Sequence, residues 1–282
     1  MQSLSILLAS ASLSVVDYRC AAKPEDQPFP EVHRRHSVSY VRRGSFGYRC
    51  CGPARELMSG SLLIGRPGVE FTCTHDHQAG GDECLSFQLS ADLAESFGDG
   101  GALWKLVSLP PIAEVVVVAE LAQAAAQGRH DAGLDEIGLL LLHRVAAITR
   151  GRRRNEVTAT QAERRRAVGA ALWLDERSAE PLTLDEMART AGLSPFHFLR
   201  LFSRVIGVTP HQYLVRARLR RAARLLAQES LSITEIALEV GFADLSNFVR
   251  TFGRAAGRSP SQFRRGSPAD RKILQAHLEA RS

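Results

Sequence analysis

Two groups of residues have types and spacings that could do chemistry. The first is Cys73-Thr74-His75-Asp76-His77, followed by Cys84. Thiolate and imidazole are ligands for zinc or another transition metal such as copper. On an extended strand Cys73, His75 and His77 would share one face, because side chains alternate with a period of two. The same residues also fit a polar hairpin turn with surface histidines and two buried thiols. The second group is arginine-rich. Arg200 and Arg204 recur 50 residues later as Arg250 and Arg254. Guanidinium groups pair with guanine O6 and N7 or with phosphate. No group of residues reads as catalytic.

The arginines belong to an internal repeat. Leu199 to Tyr213 (LRLFSRVIGVTPHQY) matches Val249 to Phe263 (VRTFGRAAGRSPSQF) at six of fifteen positions. Upstream the match continues with a shift of 49, through Leu184/Ile233, Met187/Ile236, Ala188/Ala237 and Gly192/Gly241. Such a repeat predicts two similar small units. Each has the grammar of a helix-turn-helix. Thr183-x-x-Glu186 and Ser232-x-x-Glu235 predict capping boxes. Gly192 and Gly241 predict the left-handed stop of each first helix. Ser194-Pro195 and Asp244 predict the starts of the second helices. Phe198 and Phe202, like Phe248 and Phe252, would anchor those helices in the core. A third helix, from about 210 to 227, would join the units, with Thr209-Pro210 and Ser259-Pro260 as matching helix starts.

Charge marks the same part of the chain. The formal net charge is +6. Residues 151–282 carry 23 Lys and Arg against 13 Asp and Glu, whereas residues 1–150 carry 13 against 17. A basic half beside an acidic half points to a nucleic-acid or anionic-surface partner for the basic one. A hydrophobic content of 45% with 23% charged residues excludes a mostly disordered, collagenous or fibrous chain. No apolar run approaches the roughly 18 residues that a membrane-spanning helix needs.

Residues 160–265 resemble the two-motif DNA-binding domain of AraC-type (AraC/XylS) transcriptional regulators. The most specific stretch is Ile236-Ala237-Leu238-Glu239-Val240-Gly241-Phe242-Ala243-Asp244-Leu245-Ser246-Asn247-Phe248, continued by Val249-Arg250-Thr251-Phe252 and closed by Gly257-Arg258-Ser259-Pro260-Ser261-Gln262-Phe263-Arg264. The resemblance implies an α+β two-domain chain. Its N-terminal part would be a cupin-like β-barrel or sandwich with helices. Its C-terminal part would be an all-α domain of two helix-turn-helix units joined by a helix. The expected divisions are a sensing or dimerisation domain at 1–150, a linker at 151–159, the DNA-binding domain at 160–265 and a tail at 266–282. The implied function is sequence-specific, effector-responsive regulation, as an activator rather than an enzyme. The implied partners are promoter or operator double-stranded DNA, RNA polymerase, a small-molecule or metal effector and a second copy of the chain. No membrane partner is implied, and the expected location is the bacterial cytoplasm.

Side chains near the start of a recognition helix reach base edges. In the first unit the candidates are Phe196, His197, Leu199, Arg200 and Arg204. In the second they are Leu245, Ser246, Asn247, Arg250 and Arg254. By resemblance Arg200 and Arg250 face the groove, where they suit guanine, and Asn247 suits adenine. Phe196 and Leu199 offer only apolar contacts. Arg204 and Arg254, one turn further on, suit phosphate. The joining helix adds Arg216, Arg218, Arg220, Arg221 and Arg224, which either steer phosphate or bridge acids such as Asp185 and Glu235. Two rigidly joined units would enter successive major grooves roughly 34 Å apart.

The acidic half reads as strands over residues 13–90, separated by turns such as Arg66-Pro67-Gly68 and Gly80-Gly81-Asp82. Leu4 to Leu13 has some character of a signal peptide but no preceding Lys or Arg, and otherwise reads as a buried strand. The five cysteines, an odd number, suggest reduced thiols rather than a disulfide framework. Helices are expected near 111–127 and 131–149, either packed on the β-domain or paired between two copies. The His-x-His pattern resembles part of a cupin metal motif. Glu83 falls late for that motif and no second-motif histidine follows, which puts a cupin-type metalloenzyme in doubt. A metal or thiol sensor using Cys73, His75, His77 and Cys84 remains a second reading.

Overall fold

The computed structural model describes residues 2–50, 52–75, 81–97, 102–129, 133–150, 159–228 and 231–265. Strands fill the first part: β1 (Gln2–Ala9), β2 (Leu13–Cys20), β3 (Pro30–Val32), β4 (His36–Arg49), β5 (Arg55–Met58), β6 (Leu62–Gly65), β7 (Glu70–Thr74), β8 (Asp82–Leu89) and β9 (Ser108–Leu109). All the pairings are antiparallel. One sheet runs β1-β2-β8-β4-β6-β9. Long β4 passes into a second sheet, where it pairs with β5 and β7, and β3 pairs with β7. It bends where its register with β8 shifts between Val41 and Arg43. Gly44 follows at φ +76°, and a side chain there would collide with the Gly81 carbonyl. The result is the double-sheet β-domain expected from the sequence.

Alternation along β8 explains its two-sided burial. Leu85, Phe87 and Leu89 join a core with the helices, whereas Cys84 joins Val41, Phe46, Tyr48 and Leu57 between the sheets. β1 departs from expectation. It is an edge strand paired with β2 alone among the described strands, so it is not buried. Leu4 and Ile6 are 57% and 65% exposed.

Helices α1 (Ala91–Ser96), α2 (Ala113–Ala126) and α3 (Leu134–Thr149) cover the first sheet. The Leu139–Leu142 run belongs to this packing rather than to a surface between copies. Leu140, Leu141 and Leu142 are buried and Leu139 packs on the same core. α2 is buried almost all round, from Val115 to Ala124. Its second covering comes from the helical part of the chain.

That part comprises α4 (Gln161–Glu176), α5 (Leu184–Thr190), α6 (Pro195–Ile206), α7 (Pro210–Leu226), α8 (Ile233–Glu239), α9 (Leu245–Ala256) and α10 (Pro260–Arg264). The first unit, α5–α6, shares a core with α4 and the start of α7. The second unit, α8–α9, is built into the same continuous core as the β-domain helices. The two halves of the chain are therefore packed together.

Candidate nucleic-acid interface

The repeat is visible atom by atom. In the first unit Phe198 packs at a tilt against Phe202, which meets Tyr213 edge-on, at 5.4 and 5.7 Å between ring centroids. In the second, Phe248, Phe252 and Phe263 form the same ladder at 5.6 and 5.2 Å. Phe242 extends it. All of these rings are buried. They hold α6 and α9 by one face and leave the other outward.

The caps form as the sequence predicts. Thr183 and Glu186 close a capping box on α5, and Ser232 and Glu235 close one on α8. The Asp244 carboxylate accepts the Asn247 backbone N–H at 2.7 Å. Ser194 differs: it makes no backbone cap and instead meets His197 Nδ1 at 3.1 Å. Gly192 and Gly241 lie at φ +64° and +92°. Gly241 has a further reason to be glycine, because a Cβ would run into the Ala179 carbonyl.

On the outer face of α6, Phe196, His197, Arg200 and Arg204 are exposed and Leu199 is half-buried. Phe196, at 64% exposure, lies under the Arg200 guanidinium, 5.6 Å from its ring centroid. On α9, Leu245, Ser246, Arg250 and Arg254 are exposed and Asn247 is half-buried. The Asn247 carbonyl oxygen accepts from Arg250 Nη2 at 3.4 Å and from the Thr251 hydroxyl at 3.3 Å. Its amide NH₂ is therefore the end that could donate outward. Arg204 is already engaged, in an ion pair with Glu163 at the start of α4, so any phosphate would have to compete with a carboxylate.

The arginines of α7 depart from a role in phosphate steering. Arg220, 3% exposed, donates to the Ser59 carbonyl at 2.7 Å and pairs with Asp175. Asp175 also accepts from the Tyr213 hydroxyl at 3.0 Å. Burial works against the Arg220 charge, but Asp175 and the groups around it raise its pKa overall. Arg224 reaches the buried Glu120 of α2 at 3.4 Å, and Glu120 also accepts from Tyr40 at 2.8 Å. Arg216 donates to the Pro111 carbonyl and Arg218 to the carbonyls of Ser178 and Glu180. Arg221 pairs with Glu239. The acids that receive these arginines are Asp175, Glu120 and Glu239, not Asp185 or Glu235. Each is more than 15 residues away in sequence, so helical spacing gave no signal of them. The side chains fasten α7 between its neighbours and the β-domain.

The thiol cluster is also redrawn. β7 stops at Thr74, so alternation along a strand does not carry Cys73 and His75 onto one face; His77 lies outside the described residues. His75 Nε2 meets Asp82 Oδ2 at 2.7 Å, and Cys20 joins this pair, with one ligand atom of each residue within 4.8 Å of the others. Cys84 donates to Asp82 Oδ1 at 3.6 Å. The Asp82 hydrogen bond raises the His75 pKa to about 9, and burial pushes the thiols of Cys73 and Cys84 up. Sequence reasoning missed Cys20 and Asp82. The β2–β8 register pairs them directly, and that register is invisible in a sequence window.

A helix-turn-helix domain family model matches residues 187–266. The TetD protein of transposon Tn10 from Escherichia coli is 37% identical over 94 residues, covering 33% of this chain and 68% of that protein. The bifunctional transcriptional activator/DNA repair enzyme AdaA of Bacillus subtilis is 33% identical over 95 residues, covering 34% of this chain and 45% of that protein. The chain thus spans less than half the length of AdaA. A Chromobacterium violaceum transcriptional regulator with an AraC-type DNA-binding domain shares 31% identity over 39% of this chain and 99% of the solved one, at a TM-score of 0.35. With two capped, aromatic-anchored helix-turn-helix units in register and these relatives matching them, the chain belongs to the AraC-type family of transcriptional regulators.

Proposed function

We propose that the chain is a cytoplasmic, sequence-specific transcriptional activator that binds promoter double-stranded DNA through α6 and α9 and responds to an effector held by its β-domain. The observation that carries this reading is the position of α9. Its outer face presents Ser246, Asn247, Arg250 and Arg254, while its inner face shares a core with α2. Arg144 of α3 reinforces the junction, donating to the carbonyls of Glu114 and Ala255 at 3.3 and 3.2 Å. A change in the β-domain that moved α2 would therefore act directly on a recognition helix. On this reading Arg200 and Arg250 read guanine, Asn247 reads adenine, and Arg254 meets phosphate. RNA polymerase and a second copy of the chain are further partners.

In vitro selection of a bound sequence, followed by salt titration with Arg250→Ala, tests the reading. The variant should lose about 1–3 kcal/mol on the selected site and relax its preference there. An equal loss on every sequence would remove the base-reading role, and failure to select any sequence would remove the function.

A further inference from the structure

One end of the β2–β8 ladder gathers donors from three separate segments. Cys20 ends β2, Asp82 opens β8, and His75 follows β7. The backbone fixes the first two. Cys20 and Asp82 are direct partners across the β2–β8 ladder. Beside them Gly81 sits at φ +65°, so close to the Cys20 carbonyl that no Cβ fits. The chain is therefore drawn tight at the point where the thiol and the carboxylate face each other. None of the three is fully exposed, and Cys84 lies behind Asp82 in the interior between the sheets.

We propose that Cys20, His75 and Asp82 form a binding site for a borderline divalent transition-metal ion, zinc foremost. One sulfur, one nitrogen and one oxygen within 4.8 Å of one another match zinc's preference for mixed donors and its tetrahedral reach. Three protein ligands leave one position for water or a small ligand. A hard cation such as magnesium prefers oxygen donors alone and would be rejected. The His75–Asp82 hydrogen bond would open as His75 turned its nitrogen to the metal.

The site also lies beside a route to DNA. Glu83, next to Asp82, pairs with Arg42 at 3.0 Å, and Asp17, on the same strand as Cys20, grips the same arginine. Arg42 in turn donates to Gln123 of α2 at 3.0 Å. Metal binding that shifts Cys20 or Asp82 would thus press on α2, which shares its core with α9. As the effector, the metal rests on the regulatory reading above; as a site, it does not.

The test uses the full chain, stripped of metal, with zinc alone as the probe. Competition against a chromogenic chelator should show one zinc per chain. Cys20→Ser and His75→Gln should each weaken it by at least about tenfold, while Cys50→Ser should not. Cobalt should give thiolate charge-transfer absorption that Cys20→Ser abolishes. Thermal melts of the metal-free variants separate lost ligation from lost folding. Absence of stoichiometric zinc, or zinc retained in both ligand variants, overturns the site. Zinc should then change the affinity for the selected DNA by about fivefold or more. An unchanged affinity overturns the effector role, whereas failure of the chain to select any DNA, with or without zinc, would overturn the regulatory reading instead.

Discussion

Arg220 and Arg221 are neighbours on α7 with opposite fates, and replacing each in turn tests what that helix does. Arg220→Met keeps the volume of the side chain and removes its charge. It strips the Ser59 carbonyl of its donor and leaves the Asp175 carboxylate with the Tyr213 hydroxyl. Removing one partner of a buried pair costs about 3–5 kcal/mol. Asp175 keeps 19% side-chain exposure and one hydrogen bond, which places the expected loss near the lower end, about 3 kcal/mol. Arg221→Ala breaks a pair whose side chains are 39% and 51% exposed, so its cost should fall in the range of about 0–1 kcal/mol. Urea unfolding, followed by Trp104 and Trp173 fluorescence, compares the two. The salt dependence of DNA binding gives an independent reading: a phosphate ligand lost at Arg220 would lower the slope by about one, and the structure expects no change. Equal destabilisation by the two substitutions, or a lowered slope for Arg220→Met, would refute the argument that α7 serves as a fastening.

Gly241→Ala should destabilise by more than Gly192→Ala, because both positions have positive φ but only Gly241 faces a backbone carbonyl; equal shifts in melting temperature would contradict this. Phe252→Ala should cost about 3–5 kcal/mol through the cavity left in the aromatic ladder, and a loss under about 1 kcal/mol would show that the ladder is not a closed core. Burial pushes the His33 pKa down to about 4, below its ordinary 6.5, and its Nε2 meets the Tyr48 hydroxyl at 2.8 Å. The folded state therefore favours the neutral ring. This contribution is complete above about pH 6.5 and is lost as pH falls towards 4. His33→Gln should flatten the melting temperature between pH 7 and 4.5, and an unchanged pH profile would rule out His33 as the source.

The helical half was legible because its signals are local. Thr183 with Glu186, Ser232 with Glu235, and Gly192 with Gly241 each specify a turn within a few residues, and the repeat doubled every signal. The partners of Arg204 and of the α7 arginines were not legible. A helix displays a charge at a known angle, but the carboxylate that receives it comes from another part of the chain. α2 presented the same difficulty. A helix apolar on all sides must be covered, yet its composition does not say whether by its own chain or by a second copy. In the β-domain the odd member of the metal group, Cys20, stands 62 residues before Asp82, and only the ladder between β2 and β8 makes them neighbours.

The shared core of α2, α7, α8 and α9 sets the grain along which the molecule comes apart. Cooperative units follow packed apolar surface rather than the position of a linker. The β-domain and the second helix-turn-helix should therefore melt as one block, to which the first unit is joined more narrowly, through Met58 of β5 in the core of α4 to α7 and the Arg164–Glu56 pair. A shortened protein starting at α4 would lose α2 from the core that it shares with α7 and α9 and should be prone to self-association. Chimeras made by exchanging DNA-binding domains would need α2 to travel with the graft.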